Sequence, residues 1–172
     1  MQEKNICLVG FMGSGKTTIA QALAHKMQRQ VISTDVLIIE KEGREINDIF
    51  QKDGEAYFRK VEKDVVKEIS GYGGVIVDCG GGVVLDSENI SRLKQNGIVF
   101  YLSATPETIY KRVRNQTHRP LLNVADPMQV VRDLLDKRES FYEQANFTIP
   151  TDSRSLDDVC TEILSIYKGN QK

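Results

Sequence analysis

The chain has 172 residues, 40% hydrophobic and 27% charged, with 23 Lys and Arg against 24 Asp and Glu for a formal net charge of -1. That length suits one domain over 1–172 with its own core, and the near balance of charge removes the electrostatic ground for a nucleic-acid partner. No apolar run approaches a membrane span, and "MQEKNICLVG" lacks the basic start and unbroken apolar stretch of a signal peptide, so the expectation is a cytoplasmic protein without membrane or nucleic acid.

In chain order, the strand-like runs are "NICLVG" (5–10), "QVIST" (30–34), "GVIVDC" (74–79), "GIVFYLS" (97–103) and "ANFTIP" (145–150). Several are rich in Val and Ile and almost continuously apolar, as strands covered on both faces are. Amphipathic stretches alternate with them at 16–28, 35–43, 45–70, 87–94, 105–114, 127–143 and 155–168. Thr105-Pro106 and Asp126-Pro127 each place a capping side chain before a proline suited to the first helical position. The alternation predicts an α/β fold, a parallel sheet with helices on both faces, and only the tail "KGNQK" reads as frayed. Three cysteines, Cys7, Cys79 and Cys160, are odd in number and show no C-x-x-C pair, so they are expected as small buried side chains.

The first strand runs into "GFMGSGKT", Gly10 to Thr17, and then into a helix. This is the G-x-x-x-x-G-K-[ST] spacing of a phosphate cradle. Backbone N–H groups and a helix N-terminus make a concave anion site, which would be lined by Gly13, Ser14, Gly15 and Thr18. Lys16 would reach the outer phosphates and the Thr17 hydroxyl would take a place on Mg²⁺. The spacing does not fit the dinucleotide fingerprint G-x-G-x-x-G, and no N-K-x-D guanine-reading sequence is present. The remaining distinctive groups are arginines with glycine or proline company: "GEAYFR" ending at Arg59, "RPLL" beginning at Arg119, and "KRESFYE" holding Arg138.

Together with "STD" and "CGGG", these segments resemble in order and spacing the motifs of shikimate kinases, over about 5–142. The resemblance implies a P-loop kinase fold with a five-stranded parallel sheet in the order 2-3-1-4-5 and a mobile lid at about 115–126. It implies a reaction in which ATP and shikimate give shikimate 3-phosphate and ADP with Mg²⁺. The family's matching positions make Arg59 and Arg138 the clamp on the substrate carboxylate, a task suited to a planar fork that bonds two oxygens. Asp35 would bind the reacting hydroxyl and accept its proton, and Gly80, Gly81 and Gly82 would let backbone approach the substrate, Gly81 as hydrogen-bond donor. Arg119 would meet the phosphates from the lid. Arg112 would lie near the adenine, with 151–154, including Arg154, on the other side of the base. The expected catalytic set is therefore Lys16, Asp35 and Arg119, and a monomer is the expected state. Asp35 has a second reading as a helix N-cap. His25 and His118 match no role.

Two departures stand out. Many members of the family carry D-x-D where this chain has Ser33-Thr34-Asp35, so the first carboxylate is missing. In "VIVD", 75–78, an acidic residue ends the third strand where the family often has a small one, as in a Walker B element. Asp78 is thus a candidate for the outer-shell metal carboxylate, the alternative being a hydrogen bond to the glycines after it. The other open alternatives are a kinase for another small hydroxy acid, such as gluconate, and a weakly catalytic nucleotide-binding regulatory relative.

Overall fold

Five strands alternate with seven helices in the computed structural model, which describes residues 3–114 and 126–171. In chain order they are β1 (Asn5–Val9), α1 (Lys16–Met27), β2 (Val31–Ser33), α2 (Thr34–Glu42), α3 (Ile46–Ile69), β3 (Ile76–Asp78), α4 (Ser87–Gln95), β4 (Gly97–Ser103), α5 (Pro106–Val113), α6 (Pro127–Tyr142), β5 (Phe147–Pro150) and α7 (Leu156–Gly169). All strand pairs are parallel and the order is β2-β3-β1-β4-β5, the order the family resemblance implies.

The alternation of side chains along β1 divides the core into two layers. Cys7 and Val9 join one layer with Phe58, Val65 and Val66 of α3, Leu93 of α4, and Leu135 and Tyr142 of α6. Ile6 and Leu8 join the other with Ile19 and Leu23 of α1 and Val159 and Ile163 of α7. Every residue of β1 is buried, which accounts for its near-continuous apolar sequence. The three cysteines are free and buried, and burial pushes the Cys7 thiol up to about 12.

Helix starts follow the expected capping chemistry. Thr105 Oγ1 accepts from Thr108 N at 3.3 Å ahead of Pro106, and Asp126 Oδ1 accepts from Gln129 N at 3.0 Å ahead of Pro127. At α2 the cap is Ser33, whose Oγ accepts from Val36 N at 3.4 Å, so the N-cap reading of Asp35 is corrected. Asp35 stands in the first turn instead. Helix α3 also differs from a single amphipathic stretch. Gly54, at φ 80° and ψ 174°, breaks it into two helical segments that share one hydrophobic face. A 3₁₀ turn at Val83–Leu85, unannounced by any periodicity, follows the glycine triplet.

A parallel sheet sends the chain out of every strand on one edge. The loop after β1, the start of α2 after β2 and the glycines after β3 therefore meet there. Among the described residues, no helix is long and apolar enough to cross a membrane.

Candidate active site

The loop between β1 and α1 is shaped by its glycines. A side chain at Gly13, where φ is 75°, would put its Cβ 2.5 Å from Val113 Cγ1, so only glycine lets the loop lie against α5. Lys16 Nζ donates to the carbonyls of Gly10 at 2.8 Å and Phe11 at 3.1 Å, arching over the cradle. Ser14, within the loop, is buried. A cleft of about 660 Å³ opens beside it, lined by Lys16, Thr17 and Thr18 on one side and Asp35, Asp78, Gly80 and Gly81 on the other.

Thr17 and Asp78 meet in that cleft. Thr17 Oγ1 donates to Asp78 Oδ2 at 2.6 Å, which orients the Asp78 carboxylate toward the loop rather than toward the glycines that follow it. A hydroxyl that has given its proton to a carboxylate keeps its lone pairs for a cation. Among the described residues no group of three or more His, Cys, Asp or Glu side chains could enclose a metal ion. The donor set nevertheless suits Mg²⁺, which keeps several waters and is commonly bound through one or two protein oxygens plus phosphate.

Asp35 lines the cleft where it meets the glycine triplet. Burial raises its pKa most, Lys16 and Arg59 pull it back down, and the Asp78 carboxylate adds to the rise. Its Oδ1 is so near the glycine triplet that a Cβ on Gly80 would sit 2.5 Å from it. The Gly80 N–H is held by Thr34 Oγ1 at 2.8 Å, next to Asp35 in sequence. Arg59 packs on the same triplet, its Nη1 2.5 Å from where a Cβ of Gly82 would be. Glycine at both places thus leaves room for the Asp35 carboxylate and the Arg59 guanidinium, which a larger side chain would displace.

Sequence reasoning missed Glu62, which fixes Arg59. Its Oε2 accepts from Arg59 Nη1 at 2.8 Å, and its side chain is buried. Glu55 accepts from Arg59 Nε at 3.3 Å and Nη2 at 3.1 Å on the solvent side. Burial raises the Glu62 pKa while Arg59 lowers it. The available signal was an acidic residue one turn from Arg59 on the face that carries Phe58, Val65 and Ile69. Arg138, from α6, stacks its guanidinium 5.8 Å from the centre of the Phe11 ring. Both Arg138 and Arg59 pull the Tyr142 pKa down, and the Tyr142 hydroxyl donates to Gly81, next to the Gly82 on which Arg59 packs.

A second cavity, about 360 Å³, lies across the phosphate loop and shares Gly13, Gly15 and Thr18 with the first. Arg112, Thr151 and Arg154 line it with Leu156. Arg112 donates to the carbonyls of Gly13 at 3.2 Å and Thr151 at 3.1 Å, tying α5 and the 151–154 segment to the loop. Arg154 pairs with Glu162 at 2.6 Å. Arg119, His118 and the stretch 115–125 lie outside the described residues, and His25 is exposed in the last turn of α1.

Comparison with known proteins converges with this geometry. The family model described as Shikimate kinase matches residues 12–168. The shikimate kinase of Caldanaerobacter subterraneus subsp. tengcongensis is 41% identical over 164 residues, covering 95% of this chain and 96% of that protein. That of Thermodesulfovibrio yellowstonii is 39% identical over 165 residues, covering 96% and 95%. Among solved structures, shikimate kinase from Acinetobacter baumannii in complex with shikimate superposes with a TM-score of 0.90 at 38% identity, covering 98% of this chain and 95% of that one. A gluconokinase from Sinorhizobium meliloti, at 15% identity and TM-score 0.67 over 98% and 93%, shares the fold alone.

Proposed function

The chain belongs to the shikimate kinase family, and we propose that it transfers the γ-phosphoryl group of ATP to the 3-hydroxyl of shikimate, giving shikimate 3-phosphate and ADP. The observation that carries this reading is the place of Asp35, a half-buried carboxyl lining the cleft within the fields of Lys16, Arg59 and Asp78 and against the glycine triplet.

Each side chain has a chemical task there. Arg59, braced by Glu62, and Arg138 hold the substrate carboxylate, which leaves the ring hydroxyls facing Asp35. Asp35 takes the proton of the attacking hydroxyl as the new O–P bond forms and the bond to ADP breaks. Its raised pKa makes it a stronger base than an exposed aspartate. Lys16 and the N–H groups of the cradle offset negative charge on the phosphates, which is where phosphoryl transfer gains most from fixed positive charge. Thr17 and Asp78 would hold Mg²⁺, which supplies charge neutralisation on the phosphate oxygens. Arg112 and the 151–154 segment would flank the adenine.

A coupled assay of ADP release, run with shikimate, quinate and gluconate, tests the reading. Shikimate is expected to dominate. Dominant activity on another acid would overturn the substrate, and none on any would leave nucleotide binding alone.

A further inference from the structure

Tyr142 closes α6 and is wholly buried, yet it is amphipathic and its hydroxyl is not idle. Its Oη donates to the carbonyl of Gly81 at 2.6 Å. Its ring stacks on Tyr101 of β4 with centroids 4.9 Å apart and planes 9° from parallel. Tyr101 is in register with Val9, the last residue of β1 before the phosphate loop. One side chain therefore touches three parts of the site: the central strands through its ring, the glycine triplet through its hydroxyl, and α6 through its own backbone. Arg138 sits four residues earlier on α6, on the same face of the helix.

We propose that Tyr142 is a positioning residue for the substrate carboxylate: its bond to Gly81 locks α6 to the glycine triplet and so sets Arg138 against Arg59. The triplet is the common floor. Gly82 carries the Arg59 guanidinium, Gly81 is gripped by Tyr142, and Gly81 packs against the Gly10 and Met12 backbone, its Cβ position 3.7 Å from each. Among the described residues, the Tyr142–Gly81 hydrogen bond is the polar contact that fastens α6 to this floor, and Arg138 is held between the Phe11 ring, a contact with little directional preference, and the Tyr142 hydroxyl, with which it also hydrogen-bonds. Burial pushes the Tyr142 pKa up to about 12, so the hydroxyl keeps its proton and remains a donor across the working pH range, with Arg138 pulling in the opposite direction.

The proposal rests on the shikimate kinase reading, and its test separates the two. Tyr142→Phe removes the hydroxyl and keeps the stack on Tyr101, so the fold is retained. Steady-state kinetics of the full chain should show KM for shikimate raised roughly 3- to 10-fold, the range of one lost hydrogen bond, with KM for ATP and kcat within about twofold. A double-mutant cycle adds the second readout. In an Arg138→Met background, Tyr142→Phe should cost almost nothing further, because the group it positions is gone. An unchanged shikimate KM, a parallel rise in the ATP KM, or effects that simply add would overturn the positioning role. Absence of shikimate-dependent turnover in the unmutated chain would instead remove the parent reading and this one with it.

Discussion

Asp35 is costly for the fold, and in the proposed reaction it is the base. Burial holds its pKa above the usual 3.8, the Lys16 and Arg59 charges offset part of that, and Asp78 adds to it. A carboxyl whose folded pKa lies above its unfolded value binds its proton more tightly in the folded chain. The stability it contributes is therefore full below 3.8 and is lost as pH rises through the folded value. Asp35→Asn, which has no charge to bury, is expected to melt higher than the unmutated chain at pH 7, with the gap closing toward pH 4. The same substitution should lower kcat by about 100-fold or more, the usual scale for losing a proton acceptor. Thermal unfolding at the two pH values checks the first part, and a lower melting point at pH 7 would contradict it. Asp35 was legible as a site residue from its motif. Its partial burial was not, because that depends on Gly80 approaching from the loop after β3. Glu62 carried only a weak signal for a related reason: on a helix surface an acid near an arginine reads as a solvated pair until another segment, here the glycine triplet, comes against it.

At the level of elements, α3 and the β2–β3 pair make separate claims. Gly54 holds φ 80° and ψ 174° between two helical segments, a conformation open almost only to glycine, although a Cβ there would meet nothing within 4 Å. Gly54→Ala should therefore destabilise the chain by about 1–3 kcal/mol through backbone strain alone, as measured by urea unfolding. A neutral result would show that the bend is not fixed. The β2–β3 register places Ser33 directly beside Asp78. Ser33 spends its hydroxyl capping α2, while Asp78 takes the Thr17 proton. In the proposed site, a metal carboxylate would thus have a position on either of two paired strands. Asp78→Ser is expected to weaken Mn²⁺ binding to the ADP complex about 10- to 100-fold, read by electron paramagnetic resonance. Adding Ser33→Asp should recover most of that, since aspartate also caps a helix. Unchanged Mn²⁺ affinity in Asp78→Ser would remove Asp78 from the metal site.

For the whole molecule, the parallel α/β architecture was legible because apolar runs alternate with amphipathic stretches, two of them opened by capping residues before proline. Strand order was not: periodicity does not say which strands pair, and the order came with the family resemblance. The bend at Gly54 and the turn after the glycines were hidden as well, because an isolated glycine leaves the hydrophobic face of α3 uninterrupted. On the proposed reaction, the fold's consequence is that segments far apart in sequence, carrying Lys16, Asp35, Arg59 and Arg138, would serve one step at one edge of the sheet. A crystal structure of the chain with shikimate and ADP tests that convergence most directly. The substrate carboxylate should lie between Arg59 and Arg138, with the 3-hydroxyl within hydrogen-bond reach of Asp35 and turned toward the phosphate loop. A carboxylate bound away from both arginines, or a 3-hydroxyl remote from Asp35, would contradict the account.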